Sequence, residues 1–328
     1  MPDLALSSAM LETALVADVG GTNTRVALTE GKRVIEATVR RYENDKFASL
    51  EAVLSQYLLE SDGIKPTGAC VAMAGPVRDG RAVMTNLGWS MDKSGLAAAT
   101  GAKVVAILND LQAQGHALGH IDTAKIRILA PFSAENAHAA KLVIGVGTGF
   151  NAAPVFDTAA GRFVPPSESG HVNLPVRDKA DLELGLFVAA AKGCPSVEDV
   201  LSGRGLEAVY RWLAVRAGAA AERAAHDIMA SVAASDDALA TAAARILTRM
   251  LGTVAGNLAL IQLPFGGVYL VGGVARSLAP YLKDFGFVSA FCDKGRFSDF
   301  MINFGVGVIE DDYAALTGCA AHLLALRV

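Results

Sequence analysis

Cysteine is scarce in this chain and never paired: Cys70, Cys194, Cys292 and Cys319 stand far apart, with no Cys-x-x-Cys spacing. That argues against a structural zinc site and fits a reducing cytosol. Charge is sparse as well. Only 19% of the 328 residues are charged and the net charge is −4, so the basic footprint of a nucleic-acid or anionic-membrane binder is missing. Small-molecule chemistry is the default. The N-terminus lacks a basic n-region and Glu12 interrupts its apolar stretch, which argues against a signal peptide, and a cytoplasmic location is expected. No Pro- or Ser-rich linker divides the chain. One charge-free run, Met250 to Ala275, is long enough to span a bilayer, but its six glycines, Pro264, Asn257 and Gln262 speak against that reading. From Leu239 to Ile261 apolar residues instead recur at helical spacing, with Ser235 as the expected N-cap and Asp236 and Asp237 in the first turn. After that core helix, Gly267 to Val271 reads as a buried strand ending in Gly272 and Gly273.

Glycine, at 33 residues, and apolar residues, at 52%, are what the chain has in quantity. Length and composition permit large cores and favour two domains. The most informative stretch is Leu15 to Leu28, LVADVGGTNTRVAL, which returns from Leu142 as LVIGVGTGFNAAPV. Each reads as a strand, a glycine turn and a returning strand. In the first, Gly20 and Gly21 permit a tight turn, and the backbone amides with Thr22, Asn23 and Thr24 offer donors to phosphate oxygens. Asp18 at the strand end could face a phosphate-bound Mg2+, through water. The second has Gly145, Gly147, Thr148 and Gly149. A dinucleotide-binding turn would need glycine where Phe150 stands and a helix afterwards, and no Gly-Lys-Ser/Thr Walker ending occurs. Two phosphate cradles remain, with an ordinary hairpin as the alternative for either one alone.

The rest alternates. Strands are expected at Arg33 to Arg40, Gly68 to Ala74 and Lys103 to Leu108, and helices at Phe47 to Glu60 and Asp92 to Ala99, the latter closed by Gly101. From Lys179 to Leu263 the chain reads as helical, broken at Gly193 to Pro195, Ser202 to Gly205 and Gly218, and a terminal helix lies near Tyr313 to Leu326. Asn109 and Asp110 follow the strand at Lys103 to Leu108, at the carboxyl end where open α/β sheets place ligands. Either residue could instead simply cap the next helix. Asp110 gains interest beside phosphate cradles, because phosphoryl transfer to a hydroxyl needs a base. The loop PPSESGHVNLP, Pro165 to Pro175, carries Glu168 and His171, a pair suited to sugar hydroxyls; Glu-x-x-His alone lacks the further ligands of a zinc or iron site. Glu198 in SVEDVLSG is expected to open a short helix, where a first-turn carboxylate is favoured by the helix dipole alone.

DVGGTNTR, MTNLGW, LNDLQA, GVGTGF, SESGHVNL, PSVEDVLSG, GNLAL, GGV and DKGRF, in this order from about residue 14 onward, resemble the bacterial glucokinase family of the hexokinase, actin and heat-shock ATPase superfamily. The resemblance implies an α/β, two-lobed, ribonuclease-H-like (actin-like ATPase) fold with a ligand cleft between lobes. The small α/β domain would take residues 1–120 plus a C-terminal helix at 311–328, and the large domain 121–310. It implies a glucokinase that moves the γ-phosphoryl group of ATP, with Mg2+, to the 6-hydroxyl of glucose, in a homodimer. Asp18, Gly20, Gly21, Thr22 and Asn23 would form the first phosphate loop, Gly147, Thr148 and Gly149 the second, and Gly272 and Gly273 the adenosine-side turn. Asp110 would be the general base, and Asn86, Asn109, Glu168, His171 and Glu198 the sugar partners. Three departures stand out: Ser169 and Asn151 where the family usually has glycine, and Leu111 where phenylalanine is frequent. A broader hexokinase, a repressor-type or amino-sugar kinase, a heat-shock-like ATPase and a non-catalytic sugar sensor are the rival readings. The repressor-type and amino-sugar relatives are expected to carry a DNA-binding extension or a cysteine-rich zinc motif, and neither appears in this sequence.

Overall fold

The computed structural model describes residues 13–84, 87–132 and 138–326, which divide into two units. One takes the chain up to Ile121 and again from Asp312; the other is Asp122–Asp311.

In the first unit, β1 (Thr13–Val19) turns back as β2 (Asn23–Glu30), followed by β3 (Arg33–Val34) and β4 (Arg40–Glu43). Helix α1 (Leu50–Glu60) leads to β5 (Gly68–Met73), then to a small separate sheet of β6 (Val77–Arg78), β7 (Arg81–Met84) and β8 (Trp89–Asp92). Helix α2 (Lys93–Thr100), β9 (Val104–Asn109) and α3 (Asp110–Ala117) complete this pass. The main sheet runs β3-β2-β1-β5-β9, with β4 also on β2; β1 and β2 are antiparallel, while β1, β5 and β9 are parallel. Side chains alternate in strict period two. Leu15, Ala17, Val19, Val71 and Met73 enter one core with Leu50, Leu54 and Leu96, whereas Val16, Cys70, Ala72 and Leu108 enter another. A fully buried Leu or Met contributes roughly 2 kcal/mol relative to exposure, so a one-residue slip would lose both faces together.

The second unit repeats this plan. β10 (Ile126–Ala130) precedes a hairpin of β11 (Lys141–Val146) and β12 (Phe150–Thr158), then β13 (Gly161–Phe163). Helices α4 (Lys179–Lys192), α5 (Gly203–Ala217), α6 (Ala225–Ala234) and α7 (Ala238–Gln262) follow. β14 (Val268–Val271), α8 (Gly273–Leu278), α9 (Phe287–Cys292) and β15 (Val306–Ile309) finish the unit, in a sheet ordered β10-β15-β14-β11-β12-β13. As in the first sheet, an antiparallel hairpin continues through its first strand into two parallel strands, β14 and β15. The charge-free run therefore splits between α7 and β14, and no helix among the described residues is long and apolar enough to cross a membrane. The chain then rejoins the first unit as α10 (Ala314–Ala325), whose Leu316, Cys319 and Leu323 fill the core that Val16, Cys70 and Ala72 face.

Four expectations are corrected. Arg33 to Arg40 is not one strand: after Val34 a 3-10 turn, Glu36–Thr38, intervenes. Thr38 Oγ1 accepts from Leu28 N at 3.0 Å and donates to Ile35 O at 2.7 Å, replacing the ladder there. Ser235 is not the cap of α7; it ends α6 with φ +57°, and Asp237 caps α7, accepting from Leu239 N at 2.7 Å and Ala240 N at 3.1 Å. A carboxylate complements a helix N-terminus better than a hydroxyl. Glu198 lies in a turn rather than a helix: Leu201 N donates to Val197 O and Ser196 binds Asp199, but Gly203 N donates to Gly147 O and so does not extend the ladder. The break expected at Ser202 to Gly205 is the start of α5, which Ser202 caps.

Candidate active site

In the first unit the candidate residues gather at the carboxyl ends of β1 and β9. The turn between β1 and β2 is closed by Gly20 N donating to Asn23 O at 3.0 Å. Asn44, which sequence spacing did not single out, braces it: its side chain donates to Gly20 O at 2.8 Å and accepts from Thr24 Oγ1 at 2.8 Å, and its backbone donates to Thr22 O. Buried Asn44 and Thr24 thereby satisfy each other. Asp18 sits opposite Arg25 in the hairpin register, with the ion pair at 3.5 Å. Its carboxylate is thus already shared with a guanidinium.

β5 separates β1 from β9, so Asp18 and Asp110 lie two strand spacings apart, roughly 10 Å across the sheet. Asp110 is the first residue of α3, half-buried, with one carboxylate oxygen accepting from Leu111 N at 2.8 Å. Asn109 caps that helix in a full capping box: its Oδ1 accepts from Leu111 N, Gln112 accepts from Asn109 N, and its Nδ2 donates to Gly75 O. This holds the start of α3, and Asp110 with it, against the end of β5. The capping box also brings Gln112 N onto Asn109 Oδ1, so both lone pairs of that oxygen are used and one side-chain N–H is left. Asn86 lies outside the described residues.

In the second unit the other candidates converge on the turn between β11 and β12. Gly147 N donates to Gly149 O at 2.9 Å, and Gly147 O accepts from Gly203 N, the first residue of α5, at 2.9 Å. Thr148 stands between the two turn glycines. Glu198 Oε2 accepts from Phe150 N at 2.9 Å and lies where a side chain on Gly149 would be; Glu198 N donates to Gly170 O. Gly170 has no alternative: a Cβ there would overlap the Phe150 carbonyl oxygen, so the loop of Glu168 and His171 packs directly on the turn. Glu168 and His171 are exposed and paired at 3.9 Å. Gly272, at φ +100°, passes beside Val146 O, and Gly273 lies against Gly147. Arg204, 3.5 Å from Glu198, is a further charged neighbour that sequence spacing did not reveal. Among the described residues no cluster of three or more His, Cys, Asp or Glu could hold a metal.

The glucokinase family model matches residues 15–326. The chain belongs to the glucokinase family. A glucokinase of Saccharophagus degradans is 33% identical over 313 residues, 94% of this chain and 97% of that one. A glucokinase of Tolumonas auensis is 32% identical over 96% and 98%. Among solved structures, a glucokinase from an Antarctic psychrotroph is 30% identical with TM-score 0.82, covering 95% of this chain and 98% of that one. A Balamuthia mandrillaris glucokinase in complex with glucose (22% identical, TM-score 0.81, 99% and 96% covered) and a Streptomyces griseus ROK family glucokinase in complex with glucose and AMPPNP (21%, 0.62, 95% and 98%) share the fold.

Glucokinase membership accounts for the repeated hairpin plan: the fold is that of the actin-like ATPases, and the chain is a sugar kinase. Two of the three departures from the glucokinase pattern meet each other. Asn151 Oδ1 accepts from Ser169 N at 3.0 Å and from Ser169 Oγ at 3.1 Å.

Proposed function

We propose that this chain transfers the γ-phosphoryl group of Mg-ATP to the 6-hydroxyl of glucose, giving glucose 6-phosphate and ADP. The observation that carries the reading is Asp110: a carboxylate at the carboxyl end of β9, held by a complete capping box, on the same sheet end as a glycine turn. Asp110 orients the hydroxyl and takes its proton as the oxygen attacks phosphorus in line and the bond to ADP breaks. Gly20, Gly21, Thr22 and Asn23 in the first unit, and Gly147, Thr148 and Gly149 in the second, offer backbone and side-chain donors to phosphate oxygens. Asp18, its carboxylate already paired with Arg25, would face a nucleotide-bound Mg2+ through water, and the ion would neutralise phosphate charge. Glu168, His171, Glu198, Asn109 and Asn86 hold the remaining hydroxyls, and Gly272 and Gly273 flank the adenosine.

Support for the donor and acceptor comes from the two fold relatives whose complexes hold glucose, and glucose with AMPPNP. A cytoplasmic location and a homodimer belong to the same proposal; sedimentation of the purified chain checks the second, and the mass of one chain would refute it.

The discriminating variant is Asp110→Asn. Glucose binding should persist while kcat falls by about a thousandfold, the middle of the range for loss of a general base. Unchanged turnover would remove Asp110 from the mechanism. A non-catalytic sugar sensor or a heat-shock-like ATPase has no use for such a base.

A further inference from the structure

The two glycine hairpins differ at one matched place. In the first, Asp18 faces Arg25 across the strands, and the two form an ion pair. In the second, Gly145 faces Asn151 in the corresponding register, with a turn one residue shorter. Gly145 has no side chain, so Asn151 has no cross-strand side chain to meet and turns outward from the hairpin. Its Nδ2 donates to Ser167 O; its Oδ1 accepts from Ser169 N at 3.0 Å, Ser169 Oγ at 3.1 Å and Ala152 N at 2.8 Å. The side chain thus grips the loop on both sides of Glu168 and leaves the carboxylate clear. Glu168 itself is exposed, and its backbone, at φ −131° and ψ 49°, opens the short 3-10 turn to His171.

We infer that Asn151 is a positioning residue: with Ser169 it clamps the Glu168 loop to the phosphate hairpin and so sets the carboxylate that receives a sugar hydroxyl. This rests on the assignment of Glu168 as a sugar partner. The physical logic is preorganisation. An exposed carboxylate on a loop must be ordered at each binding event unless the backbone around it is already held; Glu198 N on Gly170 O anchors the chain after Glu168, and the Asn151 bonds on either side of Glu168 remove the rest of that cost before the sugar arrives. Because Asn151 acts through the loop rather than on the reacting atoms, its loss should weaken sugar binding and leave the chemical step alone.

The test is steady-state kinetics of the full chain and of Asn151→Ala, Ser169→Ala and the double variant, with glucose and ATP varied separately. The clamp predicts KM for glucose about tenfold higher in Asn151→Ala and about threefold higher in Ser169→Ala, with kcat and KM for ATP within about twofold. Since both side chains act through one bond network, the double variant should be no worse than Asn151→Ala. Ser169→Ala deletes one hydroxyl and keeps the backbone bond, so it remains informative if Asn151→Ala folds poorly. A purely structural role would lower the melting temperature and kcat while leaving KM for glucose untouched, and that result overturns the clamp. Independent, multiplying effects of the two substitutions overturn it as well. A wild-type chain that turns over no hexose overturns the kinase assignment and the clamp with it, whereas normal wild-type turnover with unchanged KM in the variants overturns the clamp alone.

Discussion

Asp157 sits where three strands of the second unit meet. Its carboxylate accepts from Lys141 Nζ of β11 at 2.8 Å and from Arg162 Nε and Nη2 of β13 at 2.7 and 3.0 Å. Burial alone would push the carboxyl up, but the hydrogen bonds and charges of Arg162 and Lys141 outweigh it and hold the group at about 2. A depressed carboxylate contributes stability that is full above its unfolded value, near 3.8, and is lost as pH falls toward 2. That difference amounts to about 2 kcal/mol. Urea unfolding of Asp157→Asn should therefore show a deficit of that order at pH 6, which begins to close below about pH 4; a deficit independent of pH would contradict the assignment. Among the candidate residues, Asp110 was legible as the carboxylate that follows an apolar strand, and Glu168 and Glu198 as carboxylates in segments that prolines and glycines mark as turns. Asn44 was not, since a lone Asn carries no sign of which carbonyl it will meet across 24 residues. Asn151 was visible only as a departure from pattern, and its partners emerged once the hairpin register was known.

Helices α3 and α10 pack against each other through Gly318, where a Cβ would overlap the Ala113 carbonyl oxygen of α3. Asp110 begins α3, so this close approach helps set the height of the proposed base above the sheet. Gly318→Val should force the helices apart, destabilising the chain by about 3 kcal/mol, the upper range for overpacking, and lowering kcat more than either KM. Thermal unfolding and steady-state kinetics check this, and a variant with wild-type stability would show that the contact is dispensable. Helices α7 and α9 meet in the same manner at Gly252 and Gly256, and Lys294 Nζ donates to Asn257 Oδ1 at 2.7 Å and to Thr253 O at 3.0 Å. GNLAL and DKGRF, two of the motifs that carried the resemblance, thus bind one another. Strands and long helices were legible from period and punctuation, as β1, β5, β9 and α7 attest. Boundaries set by tertiary bonds were not: Thr38 ends β3 by capturing Leu28 N, and Asp237 displaces Ser235 as a cap while also binding Arg223 and Tyr210.

For the whole molecule, two units of one plan each present a glycine turn at the end of a parallel strand, and the chain belongs to the glucokinase family. The division of labour proposed for them makes hydrolysis of ATP by water the competing reaction, which a sugar kinase must suppress until its acceptor is bound. The central claim is tested most directly by measuring ADP and glucose 6-phosphate formed by the purified chain from Mg-ATP, with and without glucose. A glucose-dependent kinase gives equal amounts of both products with glucose, and releases ADP more slowly by about a hundredfold or more without it. ADP released at the same rate in both conditions, with no glucose 6-phosphate formed, would contradict that claim.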